Sequence, residues 1–187
     1  VVAEQLAELG IAGDCVKQIV ITHAHPDHVM AVPAFRAMFG GVSVCASKTA
    51  AETLSAEKAV AYFTKIDGVL TEALIKAGSI TENHRPKPLA QNTIPVDRIL
   101  ADGDTVTVGA MRFDCLATPG HSDCSLSFHE VKAGMLIVSD ATGYYLPDSD
   151  YFWPCYFGDY GAYLKSMRRL AGLDAEIFLY GNHSTHL

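Results

Sequence analysis

The sequence lacks several features that would assign it to a particular class of protein. No uninterrupted apolar run approaches the roughly 18 to 20 residues that a membrane-spanning helix needs, so no membrane partner is predicted. Basic side chains are scarce, with 14 Lys and Arg against 21 Asp and Glu and a formal net charge of −7. The longest basic cluster is MRRL at 167–170. Such a surface is poorly suited to neutralising phosphates, so no nucleic-acid partner is predicted.

Paired cysteines are also absent. The five cysteines are an odd number, and no two of them form a CxxC pair. This pattern favours reduced thiols over a disulfide framework, and it predicts a reducing, cytoplasmic location. The sequence opens with VVAEQ rather than with methionine, so we expect that a preceding segment, including any leader peptide, is missing.

The chain has enough apolar sequence to form a sizeable core. It has 187 residues, of which 49% are hydrophobic, and this size favours a single domain. Segments typical of strands alternate with segments typical of helices, which predicts an α/β layered domain. The predicted strands lie at 18–22, 42–46, 98–117 (several short strands), 124–130, 134–140 and 176–180, and the predicted helices at 3–10, 29–39, about 50–78 and 160–170.

The middle of the chain is helical in character. Apolar residues recur there at steps of three and four, which predicts an amphipathic helix or helix pair. These residues are Val60, Phe63, Ile66, Leu70 and Leu74. The segment 79–97 follows with three prolines and no periodicity, so we expect a surface connection. The aromatic run YFWPCYFGDY at 151–160 is expected to pack a loop onto the core.

The most informative stretch is ITHAHPDHVMA at 21–31, which follows an apolar strand. His23 and His25 are separated by one residue, so both can turn toward one ion from an extended backbone. Asp27 and His28 present a second pair of ligands a short way along the same loop. Neutral imidazole and carboxylate suit zinc, iron and manganese. The spacing therefore predicts two metal ions side by side.

One loop cannot complete two coordination shells, so further ligands are expected at other strand ends. His121 follows the strand FDCLA, Asp140 ends an apolar strand, and His183 comes just after IFLY. Each of these polar residues stands where a buried strand ends, which is where a layered α/β domain builds its sites.

The order of these motifs resembles the metallo-β-lactamase superfamily. THxHxDH, PGH, SD at a strand end and a late Gly/His segment follow the family order from 18 to 183. Asp140 stands where the β-lactamases proper carry cysteine, so the chain is more similar to the glyoxalase II and acyl-homoserine lactonase branch. The resemblance implies a four-layer αββα sandwich over 1–187, with a helical insertion at about 50–97. It also implies truncation at the N-terminus, and we expect the same of the C-terminus.

The resemblance also implies a ligand set for a binuclear centre in a cleft. His23, His25 and His121 would hold the first metal. Asp27, His28 and His183 would hold the second metal, with Asp140 bridging the two. Asn182 separates the last histidine from its glycine, so His186 is a rival ligand. Zinc is the expected metal, with iron and manganese as alternatives.

The predicted function is hydrolysis of an ester, thioester or lactone in a small-molecule substrate. A hydroxide that bridges the two metals would attack the carbonyl carbon. Asp27 could receive the proton and pass it to the leaving group. Tyr144 or Tyr145 could hold the developing oxyanion, because lactonase-like relatives use a tyrosine after the bridging aspartate.

Other functions remain open at this stage. The same scaffold supports mononuclear iron oxidoreductases of the persulfide dioxygenase type, which use fewer of these ligands. It also supports nucleases, which the negative charge of this chain disfavours. A protein that keeps the site without catalysing a reaction is a third possibility. The sequence predicts neither the identity of the substrate nor the oligomeric state.

Overall fold

The structure is a computed structural model that describes residues 2–146 and 149–181. Two of the residues considered as ligands, His183 and His186, lie outside the described residues. The chain divides into two compact units. The first unit comprises Val1–Ala46 and Ala50–Arg98, and the second comprises Ser47–Thr49 and Ile99–Leu187.

The first unit alternates helices with short strands, as the periodicity predicts. Its first helix ends in the expected manner at glycine: Gly10 has a φ of 69°, and the Ile11 N–H donates to the Leu6 carbonyl at 2.8 Å. The elements that have residues in this unit are α1 (Val2–Glu8), β1 (Gln18–Val20), α2 (Pro26–Val29), α3 (Val32–Met38), β2 (Ser43–Ser47), α4 (Lys48–Ser55), α5 (Glu57–Lys76) and β3 (Arg98–Leu100). The predicted helix pair in the middle of the chain is thus confirmed.

Strands β1 and β2 run parallel, with Gln18 opposite Ser43 and Val20 opposite Cys45. They belong to a three-stranded sheet with the order β1-β2-β3. The chain passes from β1 to β2 through α2 and α3, which is a βαβ crossover. The histidine-rich loop therefore begins at the carboxyl end of a parallel strand, where α/β sheets place their ligands.

A buried apolar core and an ion pair between Arg36 and Asp97 stabilise this unit. Val44, Leu54 and Val60 have no exposed surface, and burial of each such side chain contributes about 1.5 to 3 kcal/mol. Arg36 donates twice to the Asp97 carboxylate, at 2.9 and 3.1 Å. The same carboxylate accepts the Val44 N–H at 2.7 Å, so it ties the segment before β3 to the sheet.

The predicted apolar face of α5 is wrong in its second half. Val60 is buried, but Leu70 and Leu74 are each 45% exposed. Thr71, a polar residue next to Leu70, is only 7% exposed. Periodicity correctly predicted the helix, and Phe63 and Ile66 are half-buried as expected, but Thr71 rather than Leu70 is buried in the second half.

The second unit is built on a five-stranded sheet. Strands β4 to β7 form an antiparallel meander, and β10 pairs in parallel with β7 at the edge, giving the order β10-β7-β6-β5-β4. The elements are β4 (Thr105–Val108), β5 (Met111–Ala117), β6 (Leu126–Glu130), β7 (Met135–Ser139), β8 (Tyr144–Leu146), β9 (Tyr151–Trp153), α6 (Tyr160–Ala171) and β10 (Ile177–Tyr180). A core cluster lies between α6 and the sheet, formed by Leu116, Leu136, Val138 and Leu170.

The aromatic run at 151–160 differs from expectation. Its first three residues form β9, which pairs with β8 in a two-stranded antiparallel ribbon. Trp153 is 57% exposed and Phe157 is 74% exposed, so the run does not pack as a whole onto the core. A three-residue strand is too short to show the alternation by which longer strands are recognised.

The structure also describes the helix lengths and the cysteines. Within residues 2–146 and 149–181, no helix combines the length and the apolarity needed to cross a bilayer. All five cysteines are unbridged, and four of them are buried.

Candidate metal centre

The histidine-rich loop of the first unit owes its shape to Pro26. His25 has extended backbone angles (φ −82°, ψ 151°) and stands at the N-cap of α2, whose first residue is Pro26. Proline is favoured at that first helical position because its fixed φ suits the helix and its missing N–H is not needed there. His25 therefore stands at the extended entrance to this turn, and the helical turn itself carries Asp27 and His28.

The three imidazoles of this loop lie against one another. The ring centroid of His23 is 4.6 Å from that of His25 and 4.1 Å from that of His28. The His23 Nε2 and His25 Nδ1 atoms are 3.1 Å apart. His23 is only 1% exposed, whereas His25 and His28 are half-buried, so the cluster has one closed side and one side near solvent.

This contact between ring nitrogens suits a metal ion. Two lone pairs at this distance repel unless a proton or a cation lies between them. The Nδ1 atom of His23 is 3.3 Å from the Thr22 hydroxyl, and a hydrogen bond at one ring nitrogen directs the other toward a metal. The donor set is therefore chemically suited to zinc, iron or manganese.

Asp27 differs from the histidines in its exposure. Its carboxylate lies 3.4 Å from the His28 Nε2 atom, and the Asp27 side chain is 48% exposed whereas that of His28 is 15% exposed. A carboxylate that contacts both the cluster and solvent can receive a proton and release it.

The second unit brings His121 and Asp140 together. The His121 Nε2 atom is 3.7 Å from an Asp140 carboxylate oxygen, and the two side chains are 1% and 2% exposed. Asp140 directly follows the end of β7, where Ser139 has a positive φ of 49° and the pairing with β10 shifts register. Backbone strain of this kind is typical of functional positions.

The orientation of the His121 ring depends on a neighbour that the sequence does not predict. The Nδ1 atom donates to the Cys155 carbonyl at 3.2 Å, which directs Nε2 toward Asp140. The Phe157 ring lies 5.4 Å from the imidazole. The aromatic composition of 151–160 was the only sequence signal for this contact, because any residue can supply a backbone carbonyl.

The two tyrosines considered as oxyanion donors have different surroundings. The Tyr145 hydroxyl donates to Asp150 at 2.9 Å, and this hydrogen bond raises the pKa of Tyr145. Burial raises the pKa of the Cys155 thiol, and a hydrogen bond from Tyr144 opposes that shift. Tyr144 therefore contacts the residue whose carbonyl orients His121, whereas Tyr145 points toward the following turn.

The two other histidines in the described part of the chain have structural contacts. His84 closes a short 3₁₀ turn by bonding Thr81. His129 bonds the Asp174 carbonyl at 3.2 Å. Neither belongs to the clusters at the strand ends.

Comparisons with known proteins agree with this arrangement. The family model for the metallo-β-lactamase superfamily matches residues 2–183. A curated relative, the "Probable metallo-hydrolase" of Burkholderia pseudomallei (strain 1710b), is 26% identical over 193 residues, covering 97% of this chain and 56% of its own. The hydroxyacylglutathione hydrolase of Jannaschia sp. (strain CCS1) is 27% identical over 135 residues, covering 72% of this chain and 37% of its own.

A solved structure agrees with the fold. The metallo-β-lactamase family protein TTHA1429 from Thermus thermophilus superposes with a TM-score of 0.63 at 25% identity, covering 98% of this chain and 60% of its own. The chain thus has the α/β fold of that family. It spans about half the length of the curated relatives it matches, or less. Because the family model covers nearly every residue, the chain belongs to the metallo-β-lactamase superfamily.

Proposed function

We propose that this chain is a metal-dependent hydrolase that uses two divalent ions. The observation that carries the proposal is the clustering of imidazole and carboxylate side chains at the strand ends of a chain from this superfamily. His23, His25 and His28 cluster in the first unit. His121 and Asp140 do so in the second.

The ligand assignment follows the order of the family motif. His23, His25 and His121 would hold the first ion, and Asp27, His28 and His183 would hold the second, with Asp140 shared between them. The contact between His23 and His25 supports a common ion. The buried contact between His121 and Asp140 supports their belonging to one centre. Zinc is the proposed metal because it accepts both nitrogen and carboxylate ligands.

The bound ions would supply positive charge that acidifies water and polarises a carbonyl group. The protein contributes proton handling and orientation. Asp27, which is half exposed beside His28, receives a proton and delivers it to the leaving group. A tyrosine hydroxyl stabilises the oxyanion, and we favour Tyr144 over Tyr145 because Tyr144 bonds the side chain of Cys155, whose carbonyl orients His121, whereas the Tyr145 hydroxyl bonds Asp150.

The proposed substrates are small esters, thioesters or lactones. A relative named as a hydroxyacylglutathione hydrolase supports a thioester among them. The net charge of −7 disfavours a polyanionic substrate such as RNA. A cytoplasmic location, which the unbridged cysteines favour, stays a prediction.

The test combines elemental analysis of the purified protein with a panel of esters, thioesters and lactones. The wild-type chain should contain two metal equivalents and hydrolyse at least one class. His25→Ala, His121→Ala and Asp140→Ala should lose both metal and turnover, by roughly 100-fold or more in rate. His84→Ala is the matched control, because His84 lies in an exposed turn, and it should retain both.

Two outcomes would contradict this assignment. Full turnover by the metal-free Asp140→Ala variant would exclude a metal-dependent reaction. A single equivalent of iron, with oxygen consumption instead of hydrolysis, would favour the mononuclear oxidoreductase.

A further inference from the structure

Tyr163 contributes a buried hydroxyl group to the part of the second unit that holds His121 and Asp140. It lies on α6 and is only 6% exposed. Its ring packs against the Tyr156 ring, with the centroids 5.5 Å apart, and phenylalanine could make that contact equally well. A buried hydroxyl lowers stability unless it is hydrogen-bonded, so tyrosine at this position indicates a role for the hydroxyl itself.

The hydroxyl connects two segments of the chain. It donates to the Thr142 carbonyl at 2.8 Å. Burial raises the pKa of Tyr163, and a hydrogen bond from the Cys155 backbone N–H opposes that shift. The hydroxyl thus donates to one segment and accepts from the other.

The first of these segments is the turn that follows Asp140. The Gly143 N–H donates to the Asp140 carbonyl at 3.0 Å, which closes the turn. Thr142, whose carbonyl bonds Tyr163, lies inside this turn. The hydrogen bond to Thr142 therefore restricts the backbone from which the Asp140 carboxylate projects.

The second segment orients His121. The Cys155 carbonyl accepts the hydrogen bond from the His121 Nδ1 atom, and the Cys155 N–H bonds the Tyr163 hydroxyl, so both backbone polar groups of Cys155 are fixed. The two segments also lie against each other, because a Cβ atom built on Gly143 would overlap the Trp153 carbonyl. One hydroxyl therefore links the backbone that carries Asp140 to the backbone that orients His121.

Helix α6 makes further contacts of the same kind. The Ser166 hydroxyl donates to the Pro119 carbonyl at 2.7 Å, and the Arg169 guanidinium donates to the Ala117 carbonyl at 3.2 Å. Tyr163, Ser166 and Arg169 follow one another at steps of three, so they share one face of the helix. This face therefore holds both the chain just before the PGH motif and the turn that follows β7.

We propose that Tyr163 is a positioning residue of the metal centre. Its hydroxyl fixes the relative placement of the His121 imidazole and the Asp140 carboxylate, whose Nε2 and oxygen atoms are 3.7 Å apart. This inference rests on the proposed function, because it assigns both side chains to one centre. In this role Tyr163 touches neither ion nor substrate and acts through the two backbone segments that it joins.

The first test is Tyr163→Phe, which removes the hydroxyl and keeps the ring. Without the two hydrogen bonds the ligands are less preorganised, so we expect the affinity for zinc to fall by about 10- to 100-fold, the usual loss for groups that orient metal ligands. Competition with a chromophoric chelator measures this affinity and needs no substrate. Tyr160→Phe is the matched control, because it makes the same change on the same helix at a side chain that is 56% exposed. It should leave the affinity unchanged.

A second measurement separates positioning from a general loss of stability. Leu170→Val removes one methylene group from the core cluster beside α6 and so destabilises the packing of the same helix. Co²⁺ accepts the same types of ligand as zinc, and its visible absorption depends on their geometry. Tyr163→Phe should change the spectrum of the cobalt-loaded protein, whereas Leu170→Val should keep the wild-type spectrum.

NMR of the metal-free protein gives a readout that does not depend on any ion. The ring resonances of His121, assigned by their loss in His121→Ala, should shift in Tyr163→Phe because the Cys155 N–H is no longer held. The ring resonances of His129, which bonds the Asp174 carbonyl, should stay unchanged.

Either of two results would overturn this inference. The first is an unchanged zinc affinity and an unchanged cobalt spectrum in Tyr163→Phe protein that circular dichroism shows to be folded. The second is an equal change of both quantities in Leu170→Val. Failure of the proposed function has a different signature, which is zinc binding by wild-type protein without hydrolysis of any substrate. Weaker zinc binding by Tyr163→Phe would support the positioning role in that case too.

Discussion

Gly120 shows how a single residue positions a candidate ligand. It has a φ of +140°, and a Cβ atom there would lie 2.4 Å from the Tyr163 Cα atom. Its carbonyl accepts the Gly158 N–H at 3.0 Å. Helix α6 and the segment before it therefore approach the backbone next to His121 at a distance that only glycine permits.

Replacing Gly120 by alanine should therefore destabilise the protein by about 2 kcal/mol or more, combining strain at positive φ with a backbone clash. Urea unfolding measures this loss. The control is Gly109→Ala, because Gly109 shares a positive φ of 59° but has open space in front of it. That change should cost only about 1 kcal/mol. Equal losses for the two variants would mean that contact with α6 does not constrain Gly120.

At the residue scale, the sequence predicted side chains better than it predicted their neighbours. His23, His25 and His28 cluster as their spacing suggested. His121 and Asp140 meet although 18 residues separate them in the chain. The carbonyl of Cys155 orients His121, and this contact could not be predicted because every residue type has a backbone carbonyl.

At the element scale, periodicity predicted where helices form but not which side each one buries. Leu70 and Leu74 fit the apolar period of α5, yet both are 45% exposed. Apolar periodicity shows only that a helix has an apolar face, and the tertiary contacts of the folded chain decide which side of the helix is buried. The ribbon of β8 and β9 was missed because its strands have three residues each, which is too few for alternation to be detected.

Helix α6 depends on a cap that can be tested. The Asp159 side chain accepts the Ala162 N–H at 2.8 Å, and so satisfies one of the four backbone donors left free at the helix start. Asp159→Ala should lower the free energy of unfolding by about 1 kcal/mol, and Asp159→Asn should lose much less because asparagine also caps. Chemical denaturation of the three proteins gives the comparison. If asparagine were as harmful as alanine, the side-chain oxygen would not be acting as a cap.

At the scale of the whole molecule, both units contain an aspartate whose carboxylate accepts two hydrogen bonds from an arginine. Asp97 is held by Arg36 in the first unit, and Asp102 is held by Arg169 in the second. The arginine hydrogen bond is the main cause that lowers the pKa of each carboxyl group below 3.8, with a backbone N–H assisting. A single domain spanning both units, with about 50–97 as an insertion, stays a prediction.

The two arginine–aspartate pairs predict how the free energy of unfolding depends on pH. A carboxylate whose pKa is lowered in the folded state contributes its full stabilisation above the unfolded-state pKa. This stabilisation is lost as the pH falls through the folded-state pKa. The difference in unfolding free energy between wild type and Asp97→Asn should therefore be constant from about pH 6 to pH 5 and shrink below about pH 4. The side chain of Asp97 is 38% exposed, so the effect should be modest and screened by salt. If the difference in unfolding free energy increased as the pH fell, the Arg36–Asp97 pair would not be its cause.

Metal binding should contribute to the stability of the whole molecule. Ions that bind the folded chain and not the unfolded chain add about 2.7 kcal/mol when the free metal stands at 100 times its Kd. For a chain of this size that corresponds to a fall in Tm of very roughly 5 to 10 °C when a chelator removes the metal.

Differential scanning calorimetry with and without chelator measures this fall, and added zinc should reverse it. Asp140→Ala supplies the internal control. Asp140 is buried against His121 and is one of the proposed ligands, so the variant should lose its response to chelator if the proposed metal site is correct. A wild-type Tm that is insensitive to chelator, in protein shown by elemental analysis to have contained metal, would mean that the ions bind folded and unfolded chains equally. The histidine clusters would then not be a preformed centre.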